Sequence, residues 1–525
     1  MRSLWQPFSL PVLVNWETPL ARIVWLALAL AAGLAIITLP LPAAALLIGS
    51  AAVVLGTLIE PLVGLALTLL AGPFGALENV ILGGTSFDSG QLLLILTLVA
   101  WLARSVIRRE IRPLSLDKGV ALAYLFFVSF AALSLLGAPS LGAGFKELAK
   151  WVQMGLIAWF VASVAGRPGA WRGRLRCVVA AALLAGLSQA LIGIWQFGLR
   201  GHGPEHFEIA INLRGRVLEV YRAYGTFEQP NPFAGYLGLS LPLALGWGLG
   251  KAAEWLTNFQ QKQARKGSLS LRKVVELLLP WTLVAILALA LLASWSRGGW
   301  LGAAAGVAAM LFFLPRRRWH GGLLLLSVLA LAALVLLSGL LPASIAGRLT
   351  GFADYVQFQD ARGVDITPAN YAVLERMAHW QAALDMANAK PWLGVGFGNY
   401  EPAYSDYALL NWPYPLGHAH NYYLNILAET GVMGLLAYLG FWAAVMVLTA
   451  RVIGRARVPE RGIALGLMGV WAHLSVHHLV DKLYVNNIYL HLGALLGILI
   501  LLQNGLTRST NSAQNPNSTT REVTE

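Results

Sequence analysis

Charge is scarce in this 525-residue sequence, and cysteine is almost absent. Only 12% of the residues are charged, whereas 57% are hydrophobic. A soluble chain of this length cannot hide so much apolar surface, because core burial saturates near the size of a domain. The single cysteine, Cys177, excludes an intramolecular disulfide, and no zinc-type cysteine spacing occurs. A soluble enzyme and a disulfide-stabilised secreted domain are therefore both excluded.

Long apolar runs make up most of the chain instead. Several of them exceed the roughly 18 residues that a helix needs to cross a bilayer. About fourteen segments are apolar: 19–40, 43–59, 61–75, 90–107, 119–137, 145–165, 175–197, 232–250, 276–294, 298–314, 321–341, 431–450, 462–480 and 486–503. Four of these are short, so we expect about 12–14 transmembrane helices. Because backbone groups in lipid must be satisfied within their own span, the pattern predicts an all-α polytopic membrane protein.

The basic residues are concentrated in short loops between the apolar runs. Five loops hold 5, 4, 6, 3 and 4 of the 38 Lys and Arg residues, which are 22 in all: 104–118, 166–176, 251–273, 315–319 and 451–462. With fourteen spans and a cytoplasmic N-terminus, all five loops fall on the cytoplasmic side, as the positive-inside rule requires. The net charge of +13 therefore reports topology, and no nucleic-acid partner is expected.

Three segments then fall on the outer side of the membrane: 198–231, 294–300 and 342–430. The expected organisation is N-terminal helices with the first external loop (1–231), central helices (232–341), a large extracytoplasmic loop (342–430), C-terminal helices (431–503) and a disordered cytoplasmic tail (504–525). The large loop has a helical pattern at 369–389 that Pro391 ends. It is the only large extramembrane segment that the sequence predicts.

Two arginines lie where they are candidate functional residues. Arg297, in SWSRGGW, stands at the outer end of two apolar spans, where an unpaired guanidinium is costly. Arg376 lies on the external helix, with His379 and Trp380 on the same face at i+3 and i+4. The alternatives are an arginine that reaches the lipid headgroups and an ordinary solvated helix face.

The first external loop is basic on the side where basic residues are disfavoured. Arg214, Arg216 and Arg222 lie in it, and this exception suggests anion binding. Asn231 lies between two prolines, which are expected to prevent a regular helix across residues 229–232. A simple helix entry is the alternative for Asn231.

His418 and His420, followed by Asn421, lie at the mouth of an apolar span. Imidazole can accept a proton near neutral pH, which makes a histidine here a candidate base. No convincing third and fourth ligands accompany the pair, so no metal is expected. A second polar cluster, in which packing is the favoured role, consists of His477, His478, Asp481 and Lys482.

These stretches together resemble the O-antigen ligase and polymerase superfamily of bacterial membrane glycosyltransferases. His420 and Asn421, then nine residues, Gly431, two residues and Gly434 fit the family pattern throughout. GTFEQPNPFAGYL, SWSRGGWLG and RMAHWQAALDMANAKPWLGVGFGNY are similar to three further family elements. The resemblance covers residues 220–450, with the four elements in the family order.

The resemblance implies a GT-C-like, metal-independent, inverting transferase that needs no cofactor. Such an enzyme moves a glycan from undecaprenyl diphosphate to an acceptor hydroxyl on the outer face of the cytoplasmic membrane. The matching positions imply that Arg297 and Arg376 bind the diphosphate and that His420 is the base. The expected substrate-binding residues are Arg214, Arg216, Arg222, Asn231, His379, Trp380, His418 and Asn421.

The expected partners are the lipid-linked donor, the lipid bilayer and an acceptor that is a glycan, the lipid A core or a protein. Ligase, polymerase and protein O-oligosaccharyltransferase share these motifs and differ in the acceptor. A flippase or transporter is the alternative from a different class. It would require charged residues near the midplane and inverted repeats, whereas the candidate residues cluster on one outer side.

Overall fold

The computed structural model describes residues 19–83, 87–107, 117–163, 170–213, 216–263, 271–341, 345–347, 360–367 and 370–514. Within these ranges almost every element is a helix, and a single two-stranded hairpin is the sheet. The prediction of an all-α polytopic membrane protein is therefore confirmed. Apolar sequence folds this way because a helix satisfies its own backbone groups without water.

The N-terminal half contains eight helices followed by the hairpin. The helices are α1 (Pro19–Thr38), α2 (Leu41–Ile59), α3 (Pro61–Ala71), α4 (Gly75–Leu82), α5 (Ser89–Ile107), α6 (Lys118–Leu133), α7 (Leu141–Ala162) and α8 (Ala170–Ile194). A π-helical turn, Trp195–Leu199, ends α8. The hairpin pairs β1 (Glu208–Leu213) with β2 (Arg216–Tyr221) in antiparallel register. It lies in the first external loop, for which the sequence predicted no strand.

The C-terminal half carries the long helices that frame the candidate site. They are α9 (Pro230–Gln263), α10 (Leu271–Ala293), α11 (Arg297–Phe313), α12 (Arg318–Leu337), α13 (Tyr371–Ala389), α14 (Tyr422–Arg455), α15 (Glu460–His477) and α16 (Ile488–Gln514). Helix α13 confirms the helical pattern expected at 369–389. It lies in the large loop, together with a single helical turn at Tyr400–Ala403.

Each of the fourteen predicted apolar segments lies on a helix. Among the described residues, nine helices are long and apolar enough to cross a membrane, and three more are apolar but shorter. Helices α3 and α4 together form one of the nine candidate spans, Pro61–Ile81. The two predicted segments that remain lie on α7 and α15, which carry buried ionisable groups such as Glu147 and His473.

Two ion pairs bring basic loops together at one end of the helix bundle. Arg451, at the end of α14, lies 3.6 Å from Asp117, which caps α6. Arg172, at the start of α8, lies 2.7 Å from Glu460, at the start of α15. Three of the five basic loops are thereby joined.

The other two basic loops reach the same end. Arg461 donates a hydrogen bond of 2.7 Å to the carbonyl of Leu314, which ends α11. An ideal Cβ on Gly250 of α9 would lie 3.0 Å from the carbonyl oxygen of Pro459. All five loops therefore share one end, as the charge distribution predicted, and its cytoplasmic orientation stays a prediction.

Two local expectations were wrong. Helix α9 begins at Pro230 and continues regularly through Pro232, because the first N–H groups of a helix have no intrahelical partner for a proline to remove. Asn231 therefore lies in the first turn of a helix. At the other end of the chain, α16 runs on to Gln514, where a disordered tail from residue 504 was predicted. Residues 515–525 lie outside the described residues.

Candidate active site

The imidazoles of His418 and His420 lie side by side immediately before α14. Their ring centroids are 4.5 Å apart, and the backbone N–H of His420 donates a hydrogen bond of 3.0 Å to Nδ1 of His418. Nδ1 must hold a lone pair to accept this bond, so a neutral His418 carries its proton on Nε2. That nitrogen lies 3.6 Å from Oδ1 of Asp481. The carboxylate is therefore placed to orient His418, and His418 to support His420.

His420 occupies a strained backbone conformation. Its φ is +53°, in the left-handed region that a residue with a Cβ adopts at a cost. Neighbouring bonds hold the turn: the N–H of Ala419 donates to Oδ1 of Asn425 at 3.2 Å, and the N–H of Tyr422 donates to the carbonyl of His478 at 2.8 Å. Nε2 of His420 is buried and makes no hydrogen bond within the described residues. The strain thus presents an imidazole nitrogen with its bonding capacity unused.

Asn421 caps α14. Its Oδ1 accepts the N–H groups of Tyr423 and Leu424 at 3.0 and 3.2 Å. An asparagine at this position satisfies donors that the helix leaves unpaired. The structure thus gives Asn421 a positioning role, and its predicted contact with substrate stays a prediction.

Arg376 lies half-buried on α13, facing the histidine pair. Its positive charge acts on the imidazoles of His418 and His420 and on the carboxylate of Asp481. One turn along, the buried ring of His379 lies 5.5 Å from that of His420, and its Nδ1 lies 3.0 Å from the hydroxyl of Tyr400. The structure therefore brings four of the predicted residues together: Arg376, His379, His418 and His420.

Trp380 points elsewhere. It packs on a small apolar cluster that contains Leu374, Met377 and Trp412. Tyr400 and Tyr422 are fully buried, so neither ring offers an exposed face on which a sugar could stack. These aromatic residues stabilise the external helix and its connections.

Burial keeps the histidines of the site neutral. It lowers the pKa of His379 to about 4. Burial, with smaller contributions from Lys482 and His379, lowers the pKa of His418 to about 3. The pKa of His420 falls well below its ordinary value of 6.5 through burial, and then through His418 and Arg376. At neutral pH the base candidate is therefore unprotonated and able to accept a proton.

Arg297 is the first residue of α11, and its flanking residues connect it to the same cluster. Oγ of Ser296 accepts the N–H of Gly299 at 3.2 Å and donates to Oδ1 of Asn231 at 2.9 Å. Asn231 in turn hydrogen-bonds the carboxylate of Asp481. The start of α11 is thereby joined to the loop that contacts His418.

The three arginines of the first external loop are placed differently. Arg222 is half-buried, donates from Nε to the carbonyl of Ser294 at 3.1 Å, and brings Nη2 to 3.5 Å from Oδ1 of Asn231. It therefore lies beside the start of α11, and its predicted contact with substrate stays a prediction. Arg214 lies outside the described residues. Arg216 begins β2, and its side chain also lies outside the described part of the chain.

Three groups could act as metal ligands by distance alone. Within the described residues, ligand atoms of His418, His420 and Asp481 lie within 4.8 Å of one another. The donor set does not fit a cation, because the proton of His418 lies on the nitrogen that faces Asp481. The positive charge of Arg376 acts on all three groups and disfavours a metal ion further.

A glycine-rich segment packs against a break in α14. Gly431 has φ +65° and ψ −169°, which interrupts the helix, and an ideal Cβ on it would lie 2.3 Å from the carbonyl carbon of Trp392. The N–H groups of Val395 and Gly396 bond the last carbonyls before the break at 2.9 Å. The glycines after Pro391 thus let two backbones approach closely, which holds the large loop to the membrane helix that follows the histidines.

Two buried residues of the site were not among the predicted site residues. Asp481 contacts His418, and burial raises its pKa to about 6. Lys482 lies 3.2 Å from Oε1 of Glu147, which also lies 2.6 Å from Lys150 through its other oxygen. The sequence signal was an Asp-Lys pair within an otherwise apolar region, which was assigned to packing.

The O-antigen ligase family model matches residues 282–439, which is less than a third of the chain. The match contains Arg297, Arg376 and His420, whereas Asn231 and Asp481 lie outside it. No curated protein matches the chain. The matched region therefore contains the histidine pair, α13 and the start of α11. Asn231 and Asp481, which also contact this site, lie in segments on either side of the match. Over residues 282–439, the chain is therefore similar to the O-antigen ligase family.

Proposed function

We propose that this protein is a membrane glycosyltransferase that moves a glycan from undecaprenyl diphosphate to an acceptor hydroxyl. The observation that carries the proposal is the buried Nε2 of His420, which makes no hydrogen bond within the described residues and whose ring feels the positive charge of Arg376. Arg297 lies at the start of α11 and His420 lies just before α14, and the basic loops lie at the opposite ends of these helices. This arrangement supports a site on the extracytoplasmic face of the cytoplasmic membrane.

The donor carries its own leaving group. When the bond between the anomeric carbon and the phosphate oxygen breaks, undecaprenyl diphosphate departs with the bonding electrons and gains negative charge. Guanidinium groups of Arg297 and Arg376 can meet this charge with forked donors that stay protonated. A well-placed donor in a water-poor site is worth about 3–4 kcal/mol.

The acceptor hydroxyl must lose a proton as its oxygen attacks the anomeric carbon. Nε2 of His420 takes this proton in the proposed mechanism, and a general base of this kind contributes about 10²–10⁴ in rate. The low pKa of the unliganded His420 would make it a weak base. The negative charge of a bound diphosphate raises that pKa, so the base strengthens when the donor is present.

Reconstitution tests the proposal directly. Purified protein in liposomes is mixed with a labelled glycan on undecaprenyl diphosphate and with a lipid A core, a glycan repeat unit or a serine-containing protein as acceptor. We expect transfer of the label to one acceptor together with release of undecaprenyl diphosphate. His420→Ala should abolish the transfer at normal protein levels.

The acceptor that becomes labelled distinguishes a ligase from a polymerase or a protein O-oligosaccharyltransferase. Movement of the donor between leaflets without bond cleavage would identify a transporter and refute the enzymatic proposal. Full activity of His420→Ala would remove the base from the mechanism.

A further inference from the structure

Helix α11 presents a row of glycines to the polar face of α15. The row lies four residues apart along α11, at Gly298, Gly302 and Gly306. It meets His477, His473 and Gly469 of α15, which are also four residues apart and run the opposite way. Such spacing places both rows on single helix faces. The two helices are therefore packed closely along their whole contact.

Imidazole rings fill the space that side chains on the glycines would occupy. An ideal Cβ on Gly298 would lie 2.8 Å from Cδ2 of His477 and 2.6 Å from Cγ2 of Val480. One turn deeper, a Cβ on Gly302 would lie 2.8 Å from Nδ1 of His473. Atoms do not approach this closely without displacement, so any side chain on α11 here must move the helix or the rings.

The two histidines hold each other in place. Nδ1 of His477 lies 3.4 Å from Nε2 of His473, and both side chains are fully buried. His473 is also inserted into α9, where an ideal Cβ on Gly238 would lie 1.9 Å from its Nε2. The pair thereby fixes α9, α11 and α15 relative to one another.

Arg297 lies between the two points at which the start of α11 is held. Ser296 is bonded to Asn231 on one side of it, and Gly298 rests on His477 on the other. The charge of Arg376 acts on the His477 ring as well.

We infer that His477 is a positioning residue that sets where the guanidinium of Arg297 meets the diphosphate of the donor. The inference rests on the proposed function, since it takes the donor to be a lipid diphosphate. His477 acts through Gly298, and His473 holds its ring. The sequence favoured a packing role for the polar cluster that contains His477. In this inference, one of its members determines the placement of the Arg297 guanidinium.

The test measures the affinity of the purified full-length protein in nanodiscs for undecaprenyl diphosphate, which requires neither an acceptor nor turnover. Gly298→Ala adds one methyl group beside Arg297. Gly306→Ala adds the same group two turns deeper on the same helix face, where an ideal Cβ would lie 2.7 Å from the carbonyl oxygen of Gly469 and meet neither histidine, and it serves as the matched control. Because a misplacement of about 1 Å can cost on the order of 10²-fold in activity, we expect Gly298→Ala to weaken binding by about 10-fold or more.

The melting temperatures of both variants separate positioning from simple destabilisation. Near-wild-type affinity of Gly306→Ala, at a similar or greater loss of thermal stability, supports the inference. Equal affinity of Gly298→Ala and the wild type overturns it, and so does a loss of affinity that follows the melting temperature in both variants. If the wild type itself does not bind undecaprenyl diphosphate, the proposed function fails and the inference with it.

His477→Ala provides a second variant should Gly298→Ala fail to accumulate, because it removes a ring and adds no atoms. We expect weakened binding of undecaprenyl diphosphate, and partial recovery in His477→Asn, whose amide can still donate toward His473. Unchanged binding by His477→Ala overturns the inference.

Discussion

The backbone N–H of His420 donates a 3.0 Å hydrogen bond to Nδ1 of His418, and this bond links the base candidate to a buried carboxylate. It fixes the tautomer of His418, whose Nε2 then faces Asp481 at 3.6 Å. It also supports the left-handed backbone of His420, which carries Nε2 into the site. The position of the base therefore depends on a neighbour two residues earlier.

His418→Ala removes the acceptor of this bond and should lower activity by about 10- to 100-fold, because the catalytic nitrogen is no longer held in place. His418→Asn keeps an oxygen acceptor at a similar distance from the backbone and should retain more of the activity. Initial rates of glycan transfer at matched protein levels measure both effects. Equal loss in the two variants would contradict the positioning role of the bond.

The pH dependence should report the lowered pKa of His420. Burial and neighbouring cations disfavour the protonated ring, so the unliganded base stays neutral until the pH falls below its ordinary pKa of 6.5. We expect the acid limb of kcat/KM, which reports the free enzyme, to lie below pH 6.5. A bound diphosphate raises the pKa of the imidazole, so the acid limb of kcat should lie at a higher pH than that of kcat/KM.

Rate measurements between about pH 4.5 and 9 would separate the two limbs. An acid limb of kcat/KM above pH 6.5 would show that another group titrates. Coincident limbs would show that the donor does not change the charge around His420.

Replacing either candidate arginine with lysine should impair transfer although the charge is kept. Lysine cannot present two parallel donors to one phosphate, so we expect Arg297→Lys and Arg376→Lys each to lower kcat/KM on the order of 10²-fold. Arg272→Lys is the matched control, because Arg272 is exposed and pairs with Glu276 on its own helix. A similar loss in all three variants would indicate a general effect on the protein.

The sequence predicted the helices and the common end of the basic loops, because both depend on local composition. That Arg376 and His420 belong to one site was an expectation that rested on the resemblance of their motifs to the O-antigen ligase and polymerase superfamily. The involvement of Asp481 was not foreseen, because 61 residues separate it from His420 and no periodicity connects the two loops. Only the packing of α15 against α9 and α11 brings Asp481 to His418.

Two further differences have local physical reasons. The prolines on either side of Asn231 suggested a stiff turn, yet both lie in the first turn of a helix, where a missing N–H costs nothing. The cap role of Asn421 and the break at Gly431 follow from backbone angles. A motif quoted as letters does not reveal which of its residues shape the chain and which contact a substrate.

Gly431 should tolerate no side chain, since its backbone angles and its contact with Trp392 both exclude a Cβ. Gly431→Ala forces a residue into a conformation that costs about 1–3 kcal/mol in strain, besides the 2.3 Å clash with the Trp392 backbone. We expect a lower melting temperature and, because this contact holds the segment that carries Tyr400 against His379, a loss of transfer activity.

Gly440→Ala is the control, since Gly440 lies on the same helix and an ideal Cβ on it would meet open space. It should leave the free energy of unfolding unchanged or raise it by about 0.5–1 kcal/mol. Thermal unfolding of both variants in one detergent decides the matter, and wild-type stability of Gly431→Ala would show that the helix break is not required by the fold.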